Sequence, residues 1–235
     1  MQRSDSQPIA AAFWARAGGR ERFGQPVRIA KAVSWGLQVA VVRVAQLDTS
    51  SVTNFLFRVR PDPWLIGAPR PLRGCLLADG GHALIFVEST DSEDEQRFTI
   101  AHETAHLLRH YLAPRTAALA HFGPSIMPVL NRTRPATYSE RISAAMNGVP
   151  IEPFRHAMDR NRTALADAVR RIEDEADDLA VELLAPWSQL KRLRGATPAD
   201  IRQQFGLPAP VAARVATLIA PSDISRGVLG LFRIK

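Results

Sequence analysis

The 235-residue sequence has a single cysteine, Cys75, and no apolar run as long as a membrane span. One cysteine excludes an internal disulfide bond and is typical of proteins in a reducing compartment. A membrane span needs ~18 or more apolar residues, whereas the longest candidate, residues 37–47, is interrupted by Gln38 and Arg43. Arginines also interrupt residues 1–30, so they lack the apolar segment of a secretory signal peptide. We therefore expect a cytoplasmic protein without a membrane partner.

Lysine is scarce as well. Only 3 of the 30 basic residues are lysines, so arginine carries almost all of the net charge of +7. A basic surface is compatible with plain solvation, or with attraction to nucleic acid or to an acidic partner. The excess is partly local, because residues 188–235 hold eight basic residues against two acidic ones. Both interpretations of this basic tail stay open at this point.

What is present is a metal-binding motif. Residues 97–110 read RFTIAHETAHLLRH and contain His-Glu-x-x-His. Residues four apart share one face of a helix, so His102 and His106 can direct two ring nitrogens to an ion about 2 Å away. Glu103 points to the neighbouring side, where it can act as a general base without ligating the metal. The motif predicts a Zn2+ site with Glu103 as the catalytic residue. A chance match on a structural helix is the alternative.

A catalytic zinc ion needs a third protein ligand and an open fourth position. His110 lies two helical turns beyond His102, which is too far along the helix axis to share the ion. The remaining histidines fall in a strand or in irregular chain, and we interpret them as surface residues: His82, His121 and His156. An acidic third ligand is therefore expected.

A second long helix, predicted from Thr163 to Leu184, offers that acid. Glu173 lies at the edge of its apolar face, where an unpaired buried carboxylate is costly and a metal ion supplies a partner. We predict Glu173 as the third ligand, with an arginine partner as the alternative. Asp177, one turn later, is predicted to accept the second N–H of a zinc-bound histidine. The other acids lie on the opposite side, where a solvated face is expected: Asp174, Glu175, Asp178 and Glu182.

Together the two segments resemble the ImmA/IrrE family of zinc metallopeptidases. The first is similar to that family's Arg-Phe-Thr-x-Ala-His-Glu-x-x-His helix. Residues 173–186, EDEADDLAVELLAP, are similar to its Glu-x-x-Ala-Asn-x-Phe-Ala-Ala-x-Leu-Leu-Met-Pro helix. The resemblance covers most of residues 27–220. It implies Glu103 as the base and a zinc ion bound by three residues: His102, His106 and Glu173.

The sequence departs from the family in two ways. Three helix positions differ, because the family's Asn, Phe and Met are here Asp177, Leu179 and Ala185. The spacing differs more, since Glu173 follows His106 by 67 positions where the family often uses a few tens. We therefore predict an insertion at residues 112–162 that acts as a lid or as a substrate-recognition element. The residue that stabilises the oxyanion stays open among three candidates: Tyr111, Tyr138 and His156.

These observations predict a single α+β domain, residues 1–235. It has a mostly helical, zincin-like metallopeptidase core with a small β-sheet, the long insertion and a short helical tail. The expected function is zinc-dependent endopeptidase activity on a protein partner. The resemblance implies a co-encoded helix-turn-helix repressor, cleaved to relieve repression of a mobile element or a stress regulon. Residues 82–87, HALIFV, are predicted as the edge strand that pairs with an extended substrate.

The alternative function is a DNA-binding transcriptional regulator with a structural or sensory metal. Residues 197–219 predict two short helices with Gly206 in the turn between them, inside the basic tail of residues 188–235. A single short helix pair without a dimerisation segment argues against this function. We do not expect nucleic acid as the main partner.

Overall fold

The structure is a computed structural model that describes residues 6–59, 68–160 and 166–220. Residues 221–235 of the basic tail and residues 163–165 of the predicted second helix lie outside this part. In chain order the main helices and strands are α1 (Ser6–Ala17), α2 (Ile29–Gly36), β1 (Val39–Val44), α3 (Thr49–Val59), β2 (Leu72–Asp79), β3 (His82–Glu88), α4 (Glu93–His106), α5 (Ala113–Phe122), α6 (Met127–Leu130), α7 (Tyr138–Met146), β4 (Phe154–Asp159), α8 (Asp167–Leu184), α9 (Trp187–Leu190), α10 (Pro198–Phe205) and α11 (Ala209–Ile219). The α+β class with a small sheet is confirmed.

The strands form one mixed sheet in the order β1-β3-β2-β4. β2 and β3 form an antiparallel hairpin, and its turn contains Gly80 and Gly81 with φ values of 58° and 88° that suit glycine. β1 runs parallel to β3, and β4 pairs antiparallel with β2. The prediction that β3 is the edge strand is therefore wrong, because β1 and β2 cover both of its edges.

The sheet separates two apolar clusters, because alternate residues of a strand point to opposite faces. Leu76 and Ile85 point into the main core, which most of the helices share. Cys75 and Phe86 point to the other face and pack beneath α3. Burial raises the pKa of the Cys75 thiol, so this cysteine is a packing residue with little thiolate character.

Helices α4 and α8 pack against each other and belong to the main core. Ser92 caps α4 by accepting a hydrogen bond from the backbone N–H of Glu95. α8 buries its apolar face only from Glu173 onward, because Val169 and Ile172 are 43% and 42% exposed. The buried residues recur at helical spacing toward α4: Ala176, Leu179, Ala180 and Leu183.

The chain from residue 107 to residue 160 leaves the main core and returns to it. α4 continues into a π-helical turn, Leu107–Leu112. α5 then begins with Pro114 in its first turn, where the missing proline N–H costs no helical hydrogen bond. Helices α5, α6 and α7 share a small apolar cluster of their own, around Ile126 and Leu130. β4 brings the end of the predicted insertion back to the sheet.

The predicted helix pair of the tail forms α10 and α11. Thr197 and Asp200 make a capping box at the start of α10, and Gly206 ends that helix with a φ of 62°. Phe205 and Val215 are buried in the main core. The pair is therefore a packing element of the domain. In the part of the chain that the structure describes, no helix is both long and apolar enough to cross a membrane.

Candidate metal centre

Four side chains from three elements converge in one cluster. They are His102 and His106 of α4, Glu173 of α8 and His156 of β4, and each offers one ligand atom within 4.8 Å of the others. His102 Nε2 lies 3.1 Å from His106 Nε2. The Glu173 carboxylate oxygens lie 3.5 Å from His102 Nε2 and 3.6 Å from His106 Nε2. Tetrahedral zinc with bonds of about 2.0–2.1 Å places its ligand atoms about 3.3 Å apart. The donor set therefore fits a zinc ion.

The other ring nitrogens of the two helix histidines have partners of their own. His102 Nδ1 lies 2.9 Å from Asp177 Oδ1, and His106 Nδ1 lies 3.1 Å from His110 Nδ1. An acceptor at Nδ1 holds the proton there and leaves the Nε2 lone pair for a metal. Asp177 thus lies where the sequence predicted it. His110 is not a member of the cluster, but it contacts His106 at Nδ1, the ring nitrogen that does not face the other donors.

Glu103 is fully buried beside these donors. Its Oε2 accepts a hydrogen bond from His156 Nδ1 at 2.9 Å, whereas its Oε1 is buried without a hydrogen-bond partner among the described residues. A buried acceptor without a donor is costly, which indicates a place for a ligand or a water molecule. Gly74 of β2 makes room for this carboxylate. A Cβ there would overlap the Thr99 methyl group and lie 3.1 Å from Glu103 Oε1.

The charges of the cluster are strongly coupled. Burial opposes protonation of His156, but the charges and hydrogen bonds of Glu103 and Glu173 raise its pKa to about 10. Burial also opposes ionisation of Glu173, yet hydrogen bonds from His102 and His156 hold its pKa far below the usual range. Burial lowers the pKa of His106, and the neighbouring His156 and His102 lower it further. Without a metal ion, the cluster therefore pairs an ionised Glu173 with a protonated His156 and a neutral His106. Metal binding requires neutral imidazoles, so it would release protons from this cluster.

The prediction that His156 is a surface residue is wrong, because its side chain is only 14% exposed and belongs to the cluster. A signal was present in the sequence, since Phe154, His156 and Met158 alternate along one strand and place the histidine on an apolar face. His82 and His121 are exposed, as predicted. Sequence reasoning also missed the contact from His110.

The other two residues predicted as candidates for stabilising the oxyanion lie outside the cluster. The Tyr111 hydroxyl accepts a hydrogen bond from the Gly81 backbone N–H at 2.8 Å, and Tyr138 is 73% exposed on α7.

The acids predicted to be solvated on α8 divide into two groups. Asp174 is exposed, whereas Glu175, Asp178 and Glu182 are half-buried. Glu175 lies 3.8 Å from Arg109, and burial raises the pKa of Asp178 and of Glu182. The expectation of a fully solvated face is therefore wrong, because neighbouring elements cover part of it.

A cleft of about 380 Å3 adjoins the cluster. Asp177 belongs both to this cleft and to the histidine network. Apolar Phe98 and Met158 form part of its wall, and Arg73 and Arg160 add positive charge. A larger cavity, about 590 Å3, lies beside the β2–β3 turn. None of the four cluster residues lines either space, but only the smaller cleft is lined by Asp177, the hydrogen-bond partner of His102. The smaller cleft is therefore the better candidate for the substrate.

Residues 67–171 match the family model of the IrrE N-terminal-like domain, a peptidase family designated M78. The match includes α4 with both histidines and Glu103, and it ends two positions before Glu173. The resemblance to the ImmA/IrrE family is confirmed by this match. No curated protein matches the chain.

Proposed function

Because residues 67–171 match the IrrE N-terminal-like peptidase family, we propose that the protein is a zinc-dependent endopeptidase. The observation that carries the proposal is the convergence of His102 Nε2, His106 Nε2 and the Glu173 carboxylate at 3.1–3.6 Å. Zinc is favoured over magnesium and calcium because two donors are imidazole nitrogens, whereas those ions prefer oxygen ligands.

His102, His106 and Glu173 would hold the metal, and Asp177 would orient the His102 ring. When bound, the metal would polarise the scissile carbonyl and lower the pKa of the attacking water. Glu103 takes the proton of that water at Oε1, the oxygen that accepts no hydrogen bond from the residues that the structure describes. As the water oxygen bonds to the carbonyl carbon and the C–N bond breaks, Glu103 passes the proton to the leaving amine nitrogen.

Metal analysis and one conservative variant test this proposal. We expect about one zinc per chain in protein purified without chelator, and none in the His102→Ala, His106→Ala double variant. Glu103→Gln should retain zinc and fold but lose peptide hydrolysis by ~10²-fold or more. Glu93→Gln is the matched control on the same helix, because the Glu93 side chain is 92% exposed. Equal zinc content in the double variant, or unchanged turnover in Glu103→Gln, refutes the assignment.

We further propose a cytoplasmic role in which the substrate is a co-encoded helix-turn-helix repressor. Cleavage would relieve repression of a mobile element or of a stress response. The support is the family resemblance, and the cleft beside the cluster is large enough for side chains of an extended peptide. Mass spectrometry of the repressor after incubation with the zinc-loaded protein should find one cut, absent with Glu103→Gln. An intact repressor alongside cleavage of generic peptides rejects the substrate but retains the chemistry.

The DNA-binding alternative has less support from the fold. A helix-turn-helix reads bases with side chains on the exposed face of its second helix. In α11 the only basic residue is Arg214, which lies 3.6 Å from Asp177. The opposite face of α11 is buried in the main core through Ala212, Val215 and Ile219. Sequence-selective, salt-dependent DNA retention by the isolated protein is the result that favours this alternative.

A further inference from the structure

β4 places the His156 ring among the three donors on the helices. Its Nε2 lies 2.9 Å from Glu173 Oε1, and β4 holds it through the pairing of His156 with Leu76 of β2. Its ring also stacks on His106, with centroids 3.8 Å apart. We infer that His156 is a fourth protein ligand of the metal and that this conformation of the site is closed. The inference rests on the proposed zinc site.

The hydrogen bond from His156 Nδ1 supports this role. Its Nδ1 lies 2.9 Å from Glu103 Oε2, and a carboxylate can only accept a hydrogen bond when ionised. His156 Nε2 lies equally close to Glu173 Oε1, so without a metal ion the ring donates from both nitrogens. A metal ion at Nε2 would displace the proton of that nitrogen and leave the N–H on Nδ1, where Glu103 accepts it. A ligating histidine whose other nitrogen donates to a carboxylate is the usual arrangement around protein-bound zinc. His102 has the same arrangement with Asp177.

Four protein donors change what the site can do. A catalytic zinc site keeps one position for water or substrate, whereas four protein ligands are typical of closed sites. The ring of His156 would take that position with Nε2 and occupy Glu103 Oε2 with Nδ1. The attacking water and one oxygen of the base are thus blocked by the same side chain. Hydrolysis requires His156 to leave, and the protein is latent until it does.

The location of β4 makes such a departure feasible. β4 pairs with β2 alone in the described sheet, so moving it breaks a single ladder. Its residues are mostly half-exposed, with Met158 as the buried one. His102, His106 and Glu173 lie on helices of the main core, where movement would disrupt more contacts. The strand ligand is therefore the one that can be exchanged for substrate.

The test uses the full chain loaded with zinc or cobalt. X-ray absorption of the zinc protein should count three imidazole ligands in wild type and two in His156→Ala. Acetohydroxamate should bind the cobalt form of His156→Ala but bind wild type weakly, as followed by the visible spectrum. If the wild-type site is open ~10% of the time, its apparent affinity falls ~10-fold. His82→Ala, an exposed strand histidine outside the cluster, is the matched control and should behave as wild type.

The outcomes separate the two proposals. Two imidazole ligands in wild type, or equal hydroxamate binding by wild type and His156→Ala, overturns the fourth ligand and retains the zinc site. No zinc at His102 and His106 refutes the zinc site itself. His156→Gln serves if His156→Ala does not fold, because its amide can still hydrogen-bond to Glu103 while ligating zinc poorly. If His156 acts only as an oxyanion donor, His156→Ala should lower turnover while wild type and variant both show two imidazole ligands. That result also overturns the fourth ligand.

Discussion

Three acids within one turn of α8 should differ sharply in their effect on zinc affinity. The Glu173 oxygens lie 3.5 and 3.6 Å from the two histidine Nε2 atoms. Asp177 reaches the cluster only through Nδ1 of His102. Glu175 points toward Arg109 at 3.8 Å, with its side chain 33% exposed. Substitution of each acid therefore tests one distinct position relative to the metal.

The expected magnitudes follow from these positions. Loss of a group that orients a ligand typically weakens metal affinity ~10–100-fold, so loss of the ligand Glu173 in Glu173→Ala should exceed ~100-fold. That factor corresponds to more than ~2.8 kcal/mol of binding free energy. Asp177→Asn keeps an oxygen that can accept the His102 N–H, and we expect less than ~10-fold, against ~10–100-fold for Asp177→Ala. Glu175→Ala should leave affinity unchanged, because partly exposed ion pairs contribute only ~0–1 kcal/mol.

Competition with a chromophoric zinc chelator measures all four variants on one scale. Circular dichroism of the metal-free proteins controls for the fold. Loss of zinc in Glu175→Ala with retention in Glu173→Ala refutes Glu173 as the ligand, because the helical phase assigned to α8 would then be wrong. If Asp177→Asn is as damaging as Glu173→Ala, Asp177 ligates the metal directly instead of orienting His102.

Three further predictions concern packing and buried charge. Gly74→Ala should lower both stability and turnover, measured by urea unfolding and peptide hydrolysis, because its methyl group would collide with Thr99 and crowd Glu103; unchanged turnover contradicts this. Leu179→Ala should lower the free energy of unfolding by ~2–5 kcal/mol, since Leu179 is 0% exposed; a loss below ~1 kcal/mol argues against tight packing of α8. Glu88 is 3% exposed and accepts hydrogen bonds from three backbone N–H groups and a hydroxyl. Burial opposes its ionisation, but these bonds lower its pKa. Its stabilising contribution is therefore present above an unfolded pKa of ~4.3 and is lost as pH falls through the lower folded pKa. Urea midpoints of Glu88→Gln should fall less between pH 5 and pH 3 than those of wild type, and parallel profiles contradict this.

The sequence predicted the parts of the site that depend on local spacing. His102 and His106 share a face because they are four residues apart on one helix, and the Ser92 cap marks where that helix begins. Glu173 could be separated from its acidic neighbours by helical phase, since buried residues follow it at regular spacing. The same reasoning failed for Val169 and Ile172, which are exposed. Periodicity shows which face of a helix is apolar but not how far a partner covers it.

The parts that were missed depend on contacts between distant segments. β4 joins β2 across more than seventy positions, and no local pattern specifies which edge it takes. The interior position of β3 follows from the parallel pairing with β1, which is equally non-local. His156 could be placed on an apolar face from its alternation with Phe154. The partner of that face could not be predicted without the order of the sheet.

The fold holds the three predicted ligands more firmly than it holds His156, which the sequence did not predict as a ligand. His102, His106 and Glu173 are 0%, 0% and 7% exposed and lie on two helices that pack against each other. His156 lies on a half-exposed edge strand at the end of the long connection between those helices. Segments with fewer buried contacts open at a lower free energy than the core they cover. A site built in this way keeps its metal on the rigid pair of helices, while access to the metal depends on β4, the least stable of the three elements that meet there. The length of the predicted insertion then has a physical role, because it delivers a ligand that can be withdrawn without unfolding the core.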